Sequence, residues 1–258
     1  MVLNEENYFS KQANMEYLSV SQFKDFETCE AAAMAKLKGE WVEEENKALL
    51  VGSYFHSHFD GSMDKFKMEH PNIFTQKREL KAEYKMANNM IKIVEEDGFC
   101  NWLLQGESEV IFEAELYGAK WKCKMDKYDK KHERFIDLKT TKDFEKVWDG
   151  GKGAKVSFAE YWGYDIQIAM YREIEAKATG RDNRLEGLII AVTKKEVPDK
   201  AILSVDLDSI RAALKRVEEY VPRILDLKAG KEIPIRCEKC DYCKSTKQLN
   251  RIVNYRDI

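Results

Sequence analysis

The sequence predicts an α/β fold, a mixed sheet flanked by helices, and three observations predict it. Two segments in mid-chain, ESEVIFEAEL and AKWKCKMDKYD, alternate apolar and polar residues with the period of half-buried strands. LEGLIIAVTKK and AILSVD read as two further strands. Helical spacing fills the segments around them, giving the order three helices, three antiparallel strands, a helix, two strands and a helix.

Each element has a local cause. Ser19 or Ser21 caps a first helix that runs through Phe23, Phe26 and the alanine-rich CEAAAMAKLK. The acidic WVEEEN leads into a second helix over KALLVGSYFHSHFD, and a third covers roughly Gln76 to Glu96, with Gly98 as its stop. A turn at Tyr117-Gly118 joins the first two strands, and the charged DKKHE leads to a third, RFIDLKT. In the second strand Trp121, Cys123 and Met125 share one face while Lys122, Lys124 and Asp126 share the other, so one side of the sheet is polar. TKDFEKVWDGGKGAKVS reads as a loop. A long helix is expected from about Phe158 to Thr179, and another from about Asp208 to Leu227 precedes a cysteine-rich tail at about 236–258.

No fixed-period repeat and no Pro-, Gly- or Ser-rich linker divides the 258 residues, so a single domain is expected over 1–258. With 43 Lys+Arg against 46 Asp+Glu and 44% hydrophobic residues, the chain is neither disordered nor of the strongly basic histone kind. Four Pro and 13 Gly exclude a collagen-like chain. No segment approaches the run of about 18 apolar residues that spans a bilayer. The N-terminus, MVLNEENYFSKQ, is acidic and polar where a signal peptide is basic and then apolar, so a cytosolic protein is expected. Six Cys in such a chain point to free thiols or metal ligands rather than disulfides. The near-neutral balance leaves a nucleic-acid partner open, because phosphate binding depends on local patches.

The chemistry centres on Asp126, at the end of one strand, and on Asp137-Leu138-Lys139 in the next. Ten intervening residues suffice for a hairpin turn, so the two acids can meet across neighbouring strands. Asp137 and Lys139 point to the same side of their strand and Leu138 to the other. Adjacent carboxylates repel unless a cation lies between them, and hard oxygen donors favour Mg²⁺ or Mn²⁺. An Asp-x-Lys triplet is usually a solvated ion pair. Placed inside an Ile/Leu/Phe strand beside a second strand ending in Asp, it puts charges at a core edge, where function is the commonest reason to tolerate them.

With these residues in view, the chain resembles the RecB-like branch of the PD-(D/E)XK nucleases, whose fold is restriction-endonuclease-like. Gly52-Ser-Tyr-Phe-His56, Asp126, Asp137-Leu138-Lys139-Thr140 and Gln167-Ile-Ala-Met-Tyr171 match the four motifs of that branch in order, over about residues 19–243. One departure is Cys123, where the aspartate motif usually carries Gly. The likeness extends to phage-type exonucleases similar to the RecE catalytic domain. It implies that His56, Asp126, Asp137 and the Leu138 carbonyl hold the metal, that Lys139 serves the attacking water, and that Gln167 and Tyr171 bind a phosphate or orient the lysine. It also places a glutamate near the site, at Glu109. The implied activity is 5′ to 3′ hydrolysis of linear double-stranded DNA in phage-type recombination, with a single-strand annealing protein as partner and ring-shaped homo-oligomers among the relatives. A non-catalytic DNA- or partner-binding module and an endonuclease are the other readings. His58 points about 200° away from the motif face of its helix and is not assigned; neither are His70 and His132.

Three further features stand apart. GGKG at 150–153 is not a phosphate-binding P-loop, since GxxxxGK[ST] is absent, although Lys142, Lys146, Lys152 and Lys155 around it are candidates for the DNA backbone. Tyr161, Trp162 and Tyr164 could stack on bases, with core packing the expected use of Trp162. Cys237-x-x-Cys240-x-x-Cys243 can converge on one soft metal. Some RecB-like relatives tie three such cysteines and an N-terminal one, here Cys29, around a [4Fe–4S] cluster. The closer spacing of the final pair leaves Zn²⁺ or unliganded thiols as alternatives.

Overall fold

The computed structural model describes residues 2–42, 46–249 and 251–257, so the acidic run at 43–45 lies outside the described residues. Seven helices come first: α1 Lys11–Glu16, α2 Val20–Thr28, α3 Glu30–Lys38, α4 Lys47–Phe59, α5 Met63–Glu69, α6 Ala82–Glu95 and α7 Gly98–Leu103. Strands β1 Glu107–Leu116, β2 Ala119–Asp129 and β3 Arg134–Thr141 follow, then a small hairpin of β4 Val147–Asp149 and β5 Ala154–Val156. After α8 Phe158–Tyr161 and α9 Tyr164–Thr179 come β6 Glu186–Thr193, β7 Lys200–Ser204, α10 Leu207–Lys228 and α11 Asp241–Ser245. Among the described residues no helix is long and apolar enough to cross a membrane.

The main sheet has the order β1-β2-β3-β6-β7 and is antiparallel except where β3 runs beside β6. That parallel pair needs a crossover, which α8 and α9 supply. Both faces of the sheet are covered. On one, Trp121, Cys123, Met125, Phe135, Ile189 and Ala191 join α2, α9 and α10; on the other, Ile136, Leu138, Leu188, Ile190 and Val192 join α4 and α6. Burial on both sides explains why β6 reads as the unbroken apolar run Leu-Ile-Ile-Ala-Val. The alternation along β3 also sends Asp137 and Lys139 to the α9 side, away from Ile136 and Leu138.

The structure adds the short helices α1, α5, α7 and α11, starts α7 at Gly98 where a stop was expected, and covers the sheet face expected to be polar; the fold departs from the sequence reading in four further places. The helix expected through 19–38 divides at Cys29, whose extended backbone ends α2 and whose Sγ accepts the Ala32 N–H to begin α3. The helix expected from Gln76 starts only at Ala82, because the preceding residues fold back through a Phe74–Leu80 bridge. The loop after β3 contains the β4–β5 hairpin. The helix expected over 158–179 breaks at Trp162-Gly163, where Gly163 takes the left-handed conformation at φ +62°. The break turns Trp162 outward, and at 55% exposure it is not the core residue expected.

The C-terminal tail returns to α3. Ala31 N–H donates to Ile235 O at 3.1 Å, and Ile235 N–H donates to Glu30 Oε2 at 2.7 Å. Glu30 is buried and also accepts from Arg223 Nη2 at 2.8 Å and from Tyr220 Oη at 3.0 Å. Burial pushes its carboxyl pKa up, but these donors more than offset that and hold it below the ordinary glutamate value. Its stabilisation is therefore full above the unfolded pKa and is lost as pH falls through the lower folded one. Glu30→Ala removes the acceptor of four hydrogen bonds and is expected to destabilise the fold by about 3 kcal/mol, measured by chemical denaturation at neutral pH. An effect below about 0.5 kcal/mol would show that Glu30 does not anchor the tail.

Candidate functional site

The site forms where β2 and β3 part. Their ladder runs through Asp129↔Arg134, Tyr128↔Phe135 and Lys127↔Ile136 and then stops. The next residues in register are Asp126 and Asp137. Asp126 Oδ2 instead accepts the Leu138 N–H at 2.6 Å, so a side chain replaces the main-chain partner that β2 would supply. His56, on α4, brings Nδ1 to 3.5 Å from the same oxygen. Gly52 makes that approach possible: a Cβ there would lie 3.2 Å from Thr140 Oγ1 on β3.

Asp137 is almost fully buried, and two motif residues hold it. Gln167 Nε2 donates to Oδ1 at 2.5 Å, and Lys139 Nζ lies 2.6 Å from Oδ2, which has no well-directed hydrogen bond. Gln167 thus orients the acid rather than the lysine. Tyr164 places its ring 5.4 Å from Lys139 Nζ, a cation–π contact. Tyr171 packs on Phe135 and touches neither acid through a hydrogen bond in the described set, although it lines the same cleft as Lys139 and Gln167. Glu109 falls between the β1 residues that pair with Lys127 and Met125, opposite Asp126, and is bound by Lys124. His58 turns away to Glu95 at 2.7 Å.

Electrostatics follow from this packing. Burial raises the Asp137 pKa, with the neighbouring Asp126 adding to it and Lys139 offsetting only part. For Asp126 burial acts in the same direction, but His56, Lys139 and the Leu138 N–H win, and its carboxyl stays below the ordinary value. For Lys139 burial favours the neutral amine, yet Asp137 and Asp126 keep it protonated. Two carboxylates are hard donors that suit Mg²⁺ or Mn²⁺, the imidazole is a borderline one that Mn²⁺ accepts more readily, and the poorly satisfied Asp137 Oδ2 suits a cation. His56 and Asp126 stand 3.5 Å apart, but they do not form a three-membered set with Asp137. Among the described residues, only the cysteine set brings three or more His, Cys, Asp or Glu ligand atoms within 4.8 Å of one another.

Beside Lys139 opens a cleft of about 610 Å³ between α1–α3 and β2. Lys11, Lys24, Lys36, Lys122 and Lys124 line it. Burial, with Lys139 adding its repulsion, pushes the Lys24 amine down to about 8, and Lys24 Nζ donates to Trp162 O at 3.0 Å. Burial also pushes Lys122 down to about 8; its ammonium donates to Tyr8 O and, at 2.8 Å, to Asn14 Oδ1. The lysines singled out from the sequence lie elsewhere. Lys142, Lys146, Lys152 and Lys155 are exposed on and around the β4–β5 hairpin, outside the cleft lining, and Lys152 is paired with Glu160 at 2.7 Å. The polar alternation of β2 marked Lys122 and Lys124. Lys24 carried no signal, since it sits beside the core residue Phe23.

At the far side of α2 and α3, Cys29 meets the tail. Its Sγ lies 3.6 Å from Cys243 Sγ, and Cys237 Sγ lies 4.0 Å from Cys243 Sγ. Cys100 and Cys123 are buried singly in the main core.

Fold and site together define the class: the chain is a member of the PD-(D/E)XK nuclease superfamily. Within it, the chain belongs to the family of PDDEXK-like domains of unknown function (DUF3799), whose model matches residues 19–246. It is similar to the crystal structure of a candidate exonuclease from Eubacterium rectale, with 43% identity and a TM-score of 0.94, over 100% of this chain and 98% of that one. A second solved structure, SSO0001, shares 13% identity over 76% of this chain and 92% of its own, and its TM-score of 0.30 carries no argument. No curated protein matches the sequence significantly.

Proposed function

We propose that the protein is a divalent-metal-dependent deoxyribonuclease that hydrolyses phosphodiester bonds as an exonuclease on linear double-stranded DNA. The observation that carries this reading is Asp137, buried between Gln167 and Lys139 at the point where Asp126 and His56 prop β2 and β3 apart. His56, Asp126, Asp137 and the Leu138 carbonyl would hold Mg²⁺ or Mn²⁺. Such an ion polarises the scissile phosphate and lowers the pKa of a bound water.

The rest is done by the chain itself. Lys139 lies beside both carboxylates and would hold and aim the attacking water next to the ion. Gln167 fixes the rotamer of Asp137, and Tyr171 lines the wall next to it. The lysines of the cleft neutralise backbone phosphates on one side of the scissile bond. By the same reading, polarity is 5′ to 3′, the pathway is phage-type recombination, and the exposed strand passes to a single-strand annealing protein.

Digestion of linear and covalently closed duplexes, with 5′- and 3′-labelled ends, in Mg²⁺, Mn²⁺ or chelator, tests the reading. Loss of linear DNA from its ends, with the closed circle intact and all activity absent in chelator, is the expected result. Cutting of the circle makes the protein an endonuclease. DNA binding without digestion in either metal makes it a binding module.

A further inference from the structure

The four thiols that join the tail to the α2–α3 junction stand at a spacing that discriminates between the groups they could hold. In a tetrahedral zinc–thiolate centre the bonds of about 2.3 Å place the sulfurs about 3.8 Å apart. Here Cys29 and Cys243 are 3.6 Å apart, Cys237 and Cys243 are 4.0 Å apart, and all four sulfurs lie within 4.8 Å of one another. A cubane has to fit four irons and four sulfides between its thiolates, which holds them much farther apart than one edge of a single-ion tetrahedron. The cysteines therefore do not fit the [4Fe–4S] cluster that the family resemblance implies. They are also far beyond the S–S bond length of about 2.05 Å, so no disulfide joins them.

The backbone around the sulfurs is arranged for thiolates. Glu238 takes the left-handed conformation at φ +59°, which aims the N–H groups of Lys239 and Cys240 at Cys237 Sγ, at 3.5 and 3.3 Å. Cys243 N–H donates to Cys240 Sγ at 3.5 Å, and Ala32 N–H donates to Cys29 Sγ at 3.5 Å. Oriented amides of this kind disperse the negative charge of ligating sulfurs and fix their direction. Thiols alone offer only weak hydrogen bonds, and the apolar contacts around the sulfurs are small: Ala31, Ala32 and the Tyr242 ring, which packs on Trp41.

We propose that Cys29, Cys237, Cys240 and Cys243 bind a single tetrahedral zinc ion that staples the C-terminal tail to the junction of α2 and α3. Four soft thiolates in closed tetrahedral array make a structural rather than a catalytic zinc site. Lys24 and Lys36 of the cleft lie on those two helices, so the ion also braces one wall of the cleft. The site stands on its own geometry and is independent of the nuclease reading.

The experiment counts metals and acid-labile sulfide in the full-length chain, expressed with both iron and zinc available and purified anaerobically. One zinc per chain, no sulfide and no visible absorption are expected. Replacing zinc by Co²⁺ should give the intense visible bands of a tetrahedral thiolate centre. Cys243→Ser should lose the bound zinc and Cys100→Ser should keep it. If Cys243→Ser does not fold, stepwise removal of zinc from the parent by a chelator, with release of four reactive thiols, replaces that comparison. Iron and sulfide in equal amounts near four per chain would overturn the proposal, and so would a metal-free chain whose thiols react freely from the start.

Discussion

Asp137→Asn lowers metal-dependent digestion of linear DNA by on the order of 10³-fold while leaving the protein folded. The amide keeps the carbonyl that accepts from Gln167, so the side chain stays in place, but the charge that pairs with Lys139 and that the proposed ion would need is gone. The fold survives for an electrostatic reason. Burial already raises the Asp137 pKa, which means the native state disfavours its ionised form, and neutralising it removes no net stabilisation. Circular dichroism and thermal melting check the fold, and the labelled-end assay checks the activity. A variant that digests as fast as the parent would sink the proposed active site. Lys139→Ala should show the same loss with unchanged DNA binding, since the lysines of the cleft remain.

Gly106→Ala destabilises the fold by roughly 3 kcal/mol, with a fall in melting temperature on the order of 10 °C. Gly106 enters β1 at φ +111°, a region that side chains rarely adopt, and an added Cβ would lie 2.8 Å from the carbonyl carbon of Tyr128 on β2. Backbone cannot swing aside as a side chain could, so the strand end itself must move. Gly118→Ala is the control: it shares a positive φ of +74° but has open space around the new methyl. The difference between the two variants reads the collision together with the extra strain of the wider φ at Gly106. Equal melting temperatures would show that the start of β1 accommodates the methyl, contrary to the geometry.

Much of the fold was legible because β2 and β3 carry two different period-two patterns. Trp121, Cys123 and Met125 mark a face buried in one core, while Ile136 and Leu138 mark the opposite one, and this leaves Asp137 and Lys139 facing α9, on a face that helices cover rather than the open polar one expected. The turn length suggested that Asp126 and Asp137 could meet across the strands, but the ladder stops just short of them and Asp126 accepts the Leu138 N–H instead. Other features left no trace in periodicity. The break at Trp162-Gly163 depends on one left-handed glycine, and a single glycine in an apolar run of helical spacing does not by itself tell a break from a tolerated glycine. The cleft arises from tertiary placement: Lys24 and Lys36 come from helices, Lys122 and Lys124 from a strand, and nothing local links them. The cysteine spacing suggested a metal. Only the sulfur-to-sulfur distances separate one ion from a cluster.

The opening between β2 and β3 persists because the Asp126 carboxylate answers a main-chain donor that would otherwise call for a neighbouring strand. If Asp126 also holds the proposed ion, architecture and reactivity rest on one side chain, and losing the second would damage the first. A lineage that abandons the chemistry can shed Lys139 long before it can shed Asp126. Genetic decay of such a gene should therefore begin on β3 and leave the acid of β2 standing as a relic.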